Sequence, residues 1–324
     1  MRPLAIVAYF EGRPGHEKQT RAVLDALARL TDTTVTEKKV PVDAKAYVRN
    51  WAAFFLAFLG LLKRATSAGP ADMIIGTGTH THIPMLLDKK ARKRTGNEVR
   101  LVTCMGPDTL LRSEFDLCFI PMHDEPETAP NVFVTLGPPS PLEYEHRHEP
   151  DRGLILVGGI DRKSHRWETS RTVDQIQRLI AQSPSLLWTI SSSPRTPEDT
   201  CQALETLAGT IPQVEFFRSI DTPSGWVEEQ YARNGTVWVT ADSVSMVYEA
   251  LAAGCSVGIL PVEWLRQNNK FQKSLHILQE RKKVVGYEEW LSGQPMPEPV
   301  AEPCNEAARC AKEILKRWWP ARLQ

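Results

Sequence analysis

Short, continuous apolar runs, each closed nearby by Gly or Pro and separated by loops and helical stretches, constrain this chain more than any other feature. Residues 4–9, 71–75, 99–103, 117–120 and 132–135 are runs of this kind. They do not alternate apolar with polar residues. They therefore suit strands covered on both faces, as in a parallel sheet. Residues 17–30 have helical spacing instead, with Val23, Leu24, Leu27 and Leu30 on one face. A highly charged stretch, residues 143–152, ends this series and the pattern restarts. Strands are expected at 153–157, 185–190, 214–217, 236–240 and 256–260, and helices at 172–181 and 245–253.

Two consecutive β-α-β series imply an α/β protein of two Rossmann-like domains facing a central cleft. The expected division is 1–150 for the first domain and 151–295 for the second. Gln294-Pro295-Met296-Pro297-Glu298-Pro299 reads as an extended linker. Within 296–324, residues 306–319 read as a C-terminal helix that returns to the first domain.

Lys plus Arg balances Asp plus Glu, 39 against 39, so net charge gives no argument for a nucleic-acid partner. The six cysteines, Cys104, Cys118, Cys201, Cys255, Cys304 and Cys310, form no C-x-x-C pair. Neither a zinc ribbon nor a dithiol redox motif is visible, and buried free thiols in a reducing compartment are expected. Met1-Arg2-Pro3 leads straight into the first strand, so a cytoplasmic protein without a signal peptide is expected.

The segment WAAFFLAFLGLL, residues 51–62, is flanked by Lys45, Arg49, Lys63 and Arg64. It is shorter than the roughly 20 apolar residues of a spanning helix. Two readings stand: a helix buried in the first domain, or an interfacial helix that docks on anionic lipid.

Three motifs of the first domain are candidates for chemistry. Gly12-Arg13-Pro14-Gly15-His16 follows the first strand and opens a helix. Its glycines allow close approach, the helix N-terminus offers N–H groups to an anion, and His16 is suited to act as a base near neutral pH. A structural Gly turn beside a helix-capping His is the plainer alternative. Gly76-Thr77-Gly78-Thr79-His80-Thr81-His82 has small and hydroxyl residues suited to an acceptor wall, chiefly Gly78 and Thr79. His80 and His82 have no evident third partner for a metal, and packing is the default reading. His123-Asp124 reads either as a base with its orienter at a strand end or as a surface turn.

Three motifs of the second domain suit a phosphorylated ligand. Gly158-Gly159, followed by Arg162, Lys163 and Arg166, is a possible phosphate cradle or a solvated charged loop. Ser191-Ser192-Ser193-Pro194-Arg195-Thr196-Pro197 brings hydroxyls and a guanidinium fork to a strand end. In Thr240–Gly254, Asp242 or Ser243 is expected to cap a helix whose small first residues, Ser243 and Ser245, leave room for phosphate at the positive dipole end. Glu249 lies further along that helix, in reach of a ribose diol.

Pro14-Gly15-His16-Glu17, Phe115-Asp116 with His123-Asp124, Gly158-Gly159, Ser193-Pro194-Arg195-Thr196-Pro197 and Asp242-Ser243-Val244-Ser245-Met246 occur in order across most of the chain. Together they resemble the family named for a plant mitochondrial-fission factor, whose bacterial members are described as glycosyltransferases. The family pattern reads Ser-Arg-Arg-Thr-Pro where this chain has Pro194 in place of one cation. The stretch 245–254, then Pro261, Asn268-Asn269 and Gln272, is similar to the donor-binding stretch of the peptidoglycan N-acetylglucosaminyltransferase.

These resemblances imply the GT-B architecture and a metal-independent glycosyltransferase. The enzyme would need no cofactor and would move sugar from a nucleotide-sugar donor to a glycan or lipid-linked acceptor. Gly158, Gly159, Ser193, Arg195, Asp242, Ser243, Ser245 and Met246 would hold the diphosphate, Glu249 the ribose, and Asn268 and Asn269 the sugar. His16 would be the base, with Asp108 and Asp124 in reserve and Gly15, Gly78 and Thr79 on the acceptor side. Residues 51–62 would hold the protein at the inner face of the cytoplasmic membrane. A non-catalytic recruitment protein and a nucleotide-sugar epimerase are the alternative readings.

Overall fold

The computed structural model describes residues 1–58, 69–298 and 304–323, apart from the side chains of 44, 46, 47, 57 and 58. The chain divides into two compact units, Met1–Pro141 with Glu306–Gln324, and Leu142–Asn305.

The first unit runs β1 (Leu4–Phe10), α1 (Pro14–Leu30), β2 (Thr33–Lys39), α2 (Ala44–Phe58), β3 (Met73–Gly76), α3 (Thr79–Arg94), β4 (Arg100–Thr103), α4 (Thr109–Arg112), β5 (Leu117–Pro121) and β6 (Val132–Thr135). All six strands are parallel, in the order β2-β1-β3-β4-β5-β6. The polar strand β2 (TTVTEKK) carries no apolar run because it is an edge strand with a mostly exposed surface.

The second unit contains β7 (Glu149–Leu156), β8 (His165–Arg166), α5 (Thr169–Gln182), β9 (Leu187–Ser191), α6 (Glu198–Thr210), β10 (Val214–Phe217), α7 (Trp226–Arg233) and β11 (Asn234–Thr240). It continues with α8 (Val244–Ala252), β12 (Ser256–Leu260), β13 (Glu263–Trp264), α9 (Lys270–Glu280), β14 (Val284–Gly286) and α10 (Tyr287–Leu291). Its main sheet is parallel in the order β10-β9-β7-β11-β12-β14. Helix α11 (Glu306–Trp318) follows and belongs to the first unit.

The division falls ahead of the 150/151 boundary expected from the charged stretch. Glu149–Arg152 opens strand β7, and its charges are paired at the surface: Glu149 accepts from Arg152 at 2.5 Å and from Arg233 at 2.9 Å. Of residues 51–62, 51–58 lie in α2, and 59–62 lie outside the described residues. The linker reading ends at Pro299, also outside them. Among the described residues no helix is long and apolar enough to cross a membrane.

Each sheet is covered on both faces. Along β1, Leu4, Ile6, Ala8 and Phe10 pack with Val23 and Leu27 of α1 and with Ala307, Cys310, Ala311 and Ile314 of α11. Val7 and Tyr9 point the other way, to Ile83 and Leu86 of α3 and to Phe54 of α2. In the second unit two buried tryptophans sit opposite glycines on neighbouring strands, Trp188 against Gly153 and Trp238 against Gly258. A Cβ at Gly258 would come within 2.5 Å of the Trp238 indole, so the glycine makes the space the ring fills.

His82, inside α3, is fully buried. Its Nε2 lies 3.4 Å from Thr103 Oγ1 and its ring meets Phe115 edge-on at 5.2 Å. Its Nδ1 has no hydrogen-bond partner among the described residues. Burial pushes its pKa down from the ordinary 6.5 to about 4, which fixes it as a neutral core residue. The folded state then resists a proton that the unfolded chain accepts. His82 therefore opposes unfolding fully above about pH 6.5 and loses that contribution as pH falls toward 4, on the order of 3 kcal/mol in all. His82→Phe is expected to flatten the fall in denaturant midpoint between about pH 6.5 and 4.5. An unchanged slope would show that His82 does not carry it.

Candidate functional site

Counted within its unit, the second sheet runs 3-2-1-4-5-6, and its strand order reverses between β7 and β11. Ligands of open α/β sheets bind outside the carboxyl ends of the strands at such a switch point. Three loops meet there: Gly158-Gly159 after β7, Ser192–Thr196 after β9, and Ala241–Ser243 between β11 and α8. Their hub is Asp242, whose side chain is 1% exposed. Its carboxylate accepts from Gly159 N–H at 3.1 Å, Arg195 Nη2 at 2.8 Å, Ser243 Oγ at 3.2 Å and Thr240 Oγ1 at 2.7 Å. A buried carboxylate is tolerated only with such partners. A Cβ at Gly158 would overlap this carboxylate, and one at Gly159 the Arg195 backbone, so both glycines are sterically required.

The surrounding contacts lock the junction. Arg195 Nη1 donates to Gly159 O at 3.2 Å and Nη2 to Ser243 Oγ at 3.2 Å. The side chain is still 42% exposed, so one edge of its fork is anchored and the rest faces solvent. Thr196 Oγ1 sits against the carbonyls of Val157, at 3.1 Å, and Gly158, and accepts from Ser193 N–H at 2.8 Å. Ser193 Oγ accepts from Arg195 N–H at 3.2 Å. Buried His165 holds Gly159 O at 3.0 Å. Thr196, Thr240 and His165 shape the site from within the expected motifs, though no ligand contact was expected of them individually. Arg162 and Lys163 are exposed on the next turn, and Arg166 pairs with Glu263 at 3.3 Å.

Ser243 is the N-cap residue of α8, but no side chain caps the helix. The expected cap fails because the Ser243 hydroxyl turns to Asp242 instead. Met246 N–H turns back to Ser243 O at 2.9 Å, so the N–H groups of Val244 and Ser245 are what the first turn leaves for a ligand at its positive end. Ser245 and Glu249 follow on one helix face, Ser245 exposed and Met246 and Glu249 half-buried. Burial and the Glu249 carboxylate, to which its hydroxyl hydrogen-bonds, drive the phenol of Tyr231 far up. A cavity of about 350 Å³ opens beside the hub, lined by Ala241, Ile259, Pro261, Trp264, Leu275 and Gln279 among others. Asn268, left-handed at φ +60°, and Asn269 were expected at the sugar. Asn269 is instead engaged as the cap of α9, accepting from Phe271 N–H at 2.9 Å and Gln272 N–H at 3.0 Å while Gln272 returns to its backbone.

In the first unit the order reverses between β1 and β3, and a second buried carboxylate lies there. Glu11, fully buried, follows β1 directly. One oxygen meets His16 Nδ1 at 2.6 Å and the other accepts from His80 N–H at 3.1 Å. A Cβ at Gly78, whose φ is +114°, would overlap this carboxylate. Arg13 Nε stands 3.6 Å from it. With Glu11 accepting from Nδ1–H, His16 presents Nε2 as a lone pair, and its side chain is 28% exposed. Gly15 lies beside it on the first turn of α1, with nothing near its missing Cβ. Thr79 is exposed at the start of α3.

The reserve acids are placed differently. Asp108 is an exposed residue at the N-cap of α4, and Asp124 is exposed in a turn after β5. Among the described residues neither contacts His16. His123 Nε2 is 3.8 Å from Asp124 Oδ1, too far for a hydrogen bond. Asp116, next to buried Phe115, holds Lys89 and Leu101 N–H, each at 2.7 Å, a structural tie between α3 and the sheet. No group of three or more His, Cys, Asp or Glu among the described residues is placed to hold a metal ion.

The fold has solved counterparts. A Listeria monocytogenes protein described as a UDP-N-acetylglucosamine 2-epimerase is 13% identical, with TM-score 0.59, over 97% of this chain and 95% of its own. A UDP-GlcNAc 2-epimerase from Neisseria meningitidis is 12% identical, with TM-score 0.49, over 97% and 99%. The E. coli heptosyltransferase WaaC is 10% identical, with TM-score 0.44, over 86% and 100%. At these identities the likeness is one of fold: α/β, with two Rossmann-like domains of the GT-B kind. No curated protein sequence matches the chain. The model of the mitochondrial fission ELM1 family matches residues 14–318, and the chain belongs to that family.

Proposed function

We propose that this protein is a metal-independent glycosyltransferase that takes a nucleotide-sugar donor in its second unit and activates an acceptor hydroxyl in its first. The observation that carries the reading is the junction of Arg195, Asp242 and Gly159 beside the uncapped start of α8, at a switch point. It offers a diphosphate what it needs: free N–H groups, a helix dipole and a guanidinium edge already held in place.

In the reaction the acceptor oxygen attacks the anomeric carbon and the bond from that carbon to the diphosphate oxygen breaks. Negative charge grows on the departing diphosphate, where Arg195 and the first turn of α8 meet it. Asp242 keeps Arg195 aimed, so little reorganisation is required at that moment. Ser193 and Thr196 hold the loop, and Glu249 takes the ribose. His16 Nε2 removes the acceptor proton, and Glu11 stabilises the imidazolium that results. The acceptor is a glycan or lipid-linked hydroxyl.

Thermal shift against nucleoside diphosphates and their sugars tests the donor half. A donor at a hundredfold excess over Kd adds about 2.7 kcal/mol, which is a rise of several degrees. Arg195→Ala is expected to abolish that rise, read against the variant's own ligand-free midpoint, which falls as well because Asp242 loses its cation. No shift with any member would remove the transferase reading and favour a recruitment protein.

The dyad is tested with the donor that gives the largest shift, by following released nucleoside diphosphate with water as acceptor. His16→Ala is expected to slow release by about 10²- to 10⁴-fold with the thermal shift intact. Glu11→Gln should slow it less and leave donor binding unchanged. Equal rates in both variants would contradict the assignment, and interconversion of the donor into an isomer would favour an epimerase.

A further inference from the structure

Helix α2 carries a surface that the fold does not use. Phe54 is its inward anchor, 9% exposed in the core and 4.7 Å from Lys90 Nζ of α3, with Trp51 packed edge-on to it at 6.0 Å. The opposite stripe follows the i, i+3, i+4, i+7 rule: Lys45, Val48, Arg49, Ala52, Phe55 and Leu56 all lie on one face and are all exposed. Val48 is 65%, Phe55 56% and Leu56 45% exposed. Water is a poor neighbour for two adjacent large apolar side chains on one stripe.

The stripe itself carries cations and no carboxylate. The described helix (AKAYVRNWAAFFLAF) contains no Asp or Glu, and its cations lie toward its N-terminal end. The neighbouring α3 ends in Arg92, Lys93 and Arg94, of which Lys93 and Arg94 are exposed one turn beyond Lys90. Asp88, the carboxylate of that helix, is buried against Arg92 and Lys38 and does not offset them. Asp43 stands just ahead of α2. Exposed apolar side chains in line with basic groups on long stems are what a helix lying in the plane of a bilayer presents. The rings and branched chains enter the acyl boundary while Lys and Arg reach the headgroups.

We infer that the exposed face of α2 docks the first unit on an anionic lipid bilayer. The inference rests on the first unit alone and does not depend on what the second unit binds. The charge pattern selects an anionic surface over a neutral one, because headgroups of net negative charge complement the cations, whereas in a zwitterionic headgroup a bound cation already offsets the phosphate.

Sedimentation of the full chain with phosphatidylcholine vesicles, with and without phosphatidylglycerol, tests it. The protein is expected to pellet with the anionic vesicles, less in high salt, and to stay largely in solution with the neutral ones. Phe55→Glu with Leu56→Glu should abolish pelleting. Lys45→Glu with Arg49→Glu should weaken it roughly 25-fold or more, at about fivefold for each cation lost. All four positions are exposed, so the thermal midpoint and any donor-induced shift should match the unaltered chain, which separates this test from that of the donor site. Unaltered protein left in solution with anionic vesicles would overturn the inference. So would pelleting that the Phe55 and Leu56 substitutions leave intact. Loss of self-association on gel filtration in the same variant, without loss of vesicle binding, would assign the face to a second copy of the chain instead.

Discussion

A buried carboxylate just beyond a central strand organises each unit, and the rest of each candidate site hangs from it. Asp242 gathers a glycine N–H, an arginine and two hydroxyls. Glu11 gathers the His80 N–H and the His16 imidazole. Both lie where strand order reverses, the place in a parallel sheet where two loops part and leave a carboxylate room to reach both. Both sit against a glycine that no other residue could replace without collision. Removing one partner leaves a buried carboxylate short of a donor, so each anchoring contact matters although its outer member is partly exposed. What each carboxylate holds is a partly exposed side chain with chemistry to offer, Arg195 at 42% and His16 at 28%.

This arrangement explains a charge balance that sequence alone leaves puzzling. Arg195 is the cation of the Ser193–Pro197 motif, and Asp242 already pairs with it. The junction itself is therefore nearly neutral. An anionic ligand would be received by directed donors rather than by net charge, through the open edge of the guanidinium and the uncapped N–H groups of α8. Pro194 directly precedes Arg195 and stiffens the loop that carries it.

Much of the fold was legible because buried parallel strands leave a plain mark, an unbroken apolar run. The strands at 117–120 and 256–260 were placed from that pattern and are buried along their length. Strand β2 was not, because an edge strand needs no apolar run, and the start of β7 was hidden by charges that pair at the surface. The site was legible as loops and illegible as partnerships. Gly158-Gly159, Arg195, Asp242 and His16 stand at strand ends in the sequence. Glu11 reads as an ordinary loop acid, since its value depends on β3 bringing Gly78 and the His80 N–H beside it. Asn269 shows the reverse case. Its capping pattern, Asn followed three residues later by Gln, is readable from sequence and is realised at the start of α9.

The central claim is that the Asp242 junction receives a diphosphate. A crystal structure of the full chain with a nucleoside diphosphate decides this most directly. The account predicts phosphate oxygens within hydrogen-bond distance of the Arg195 guanidinium and the first-turn N–H groups of α8, with the ribose toward Glu249. A diphosphate bound elsewhere, with that junction unchanged and unengaged, would contradict it.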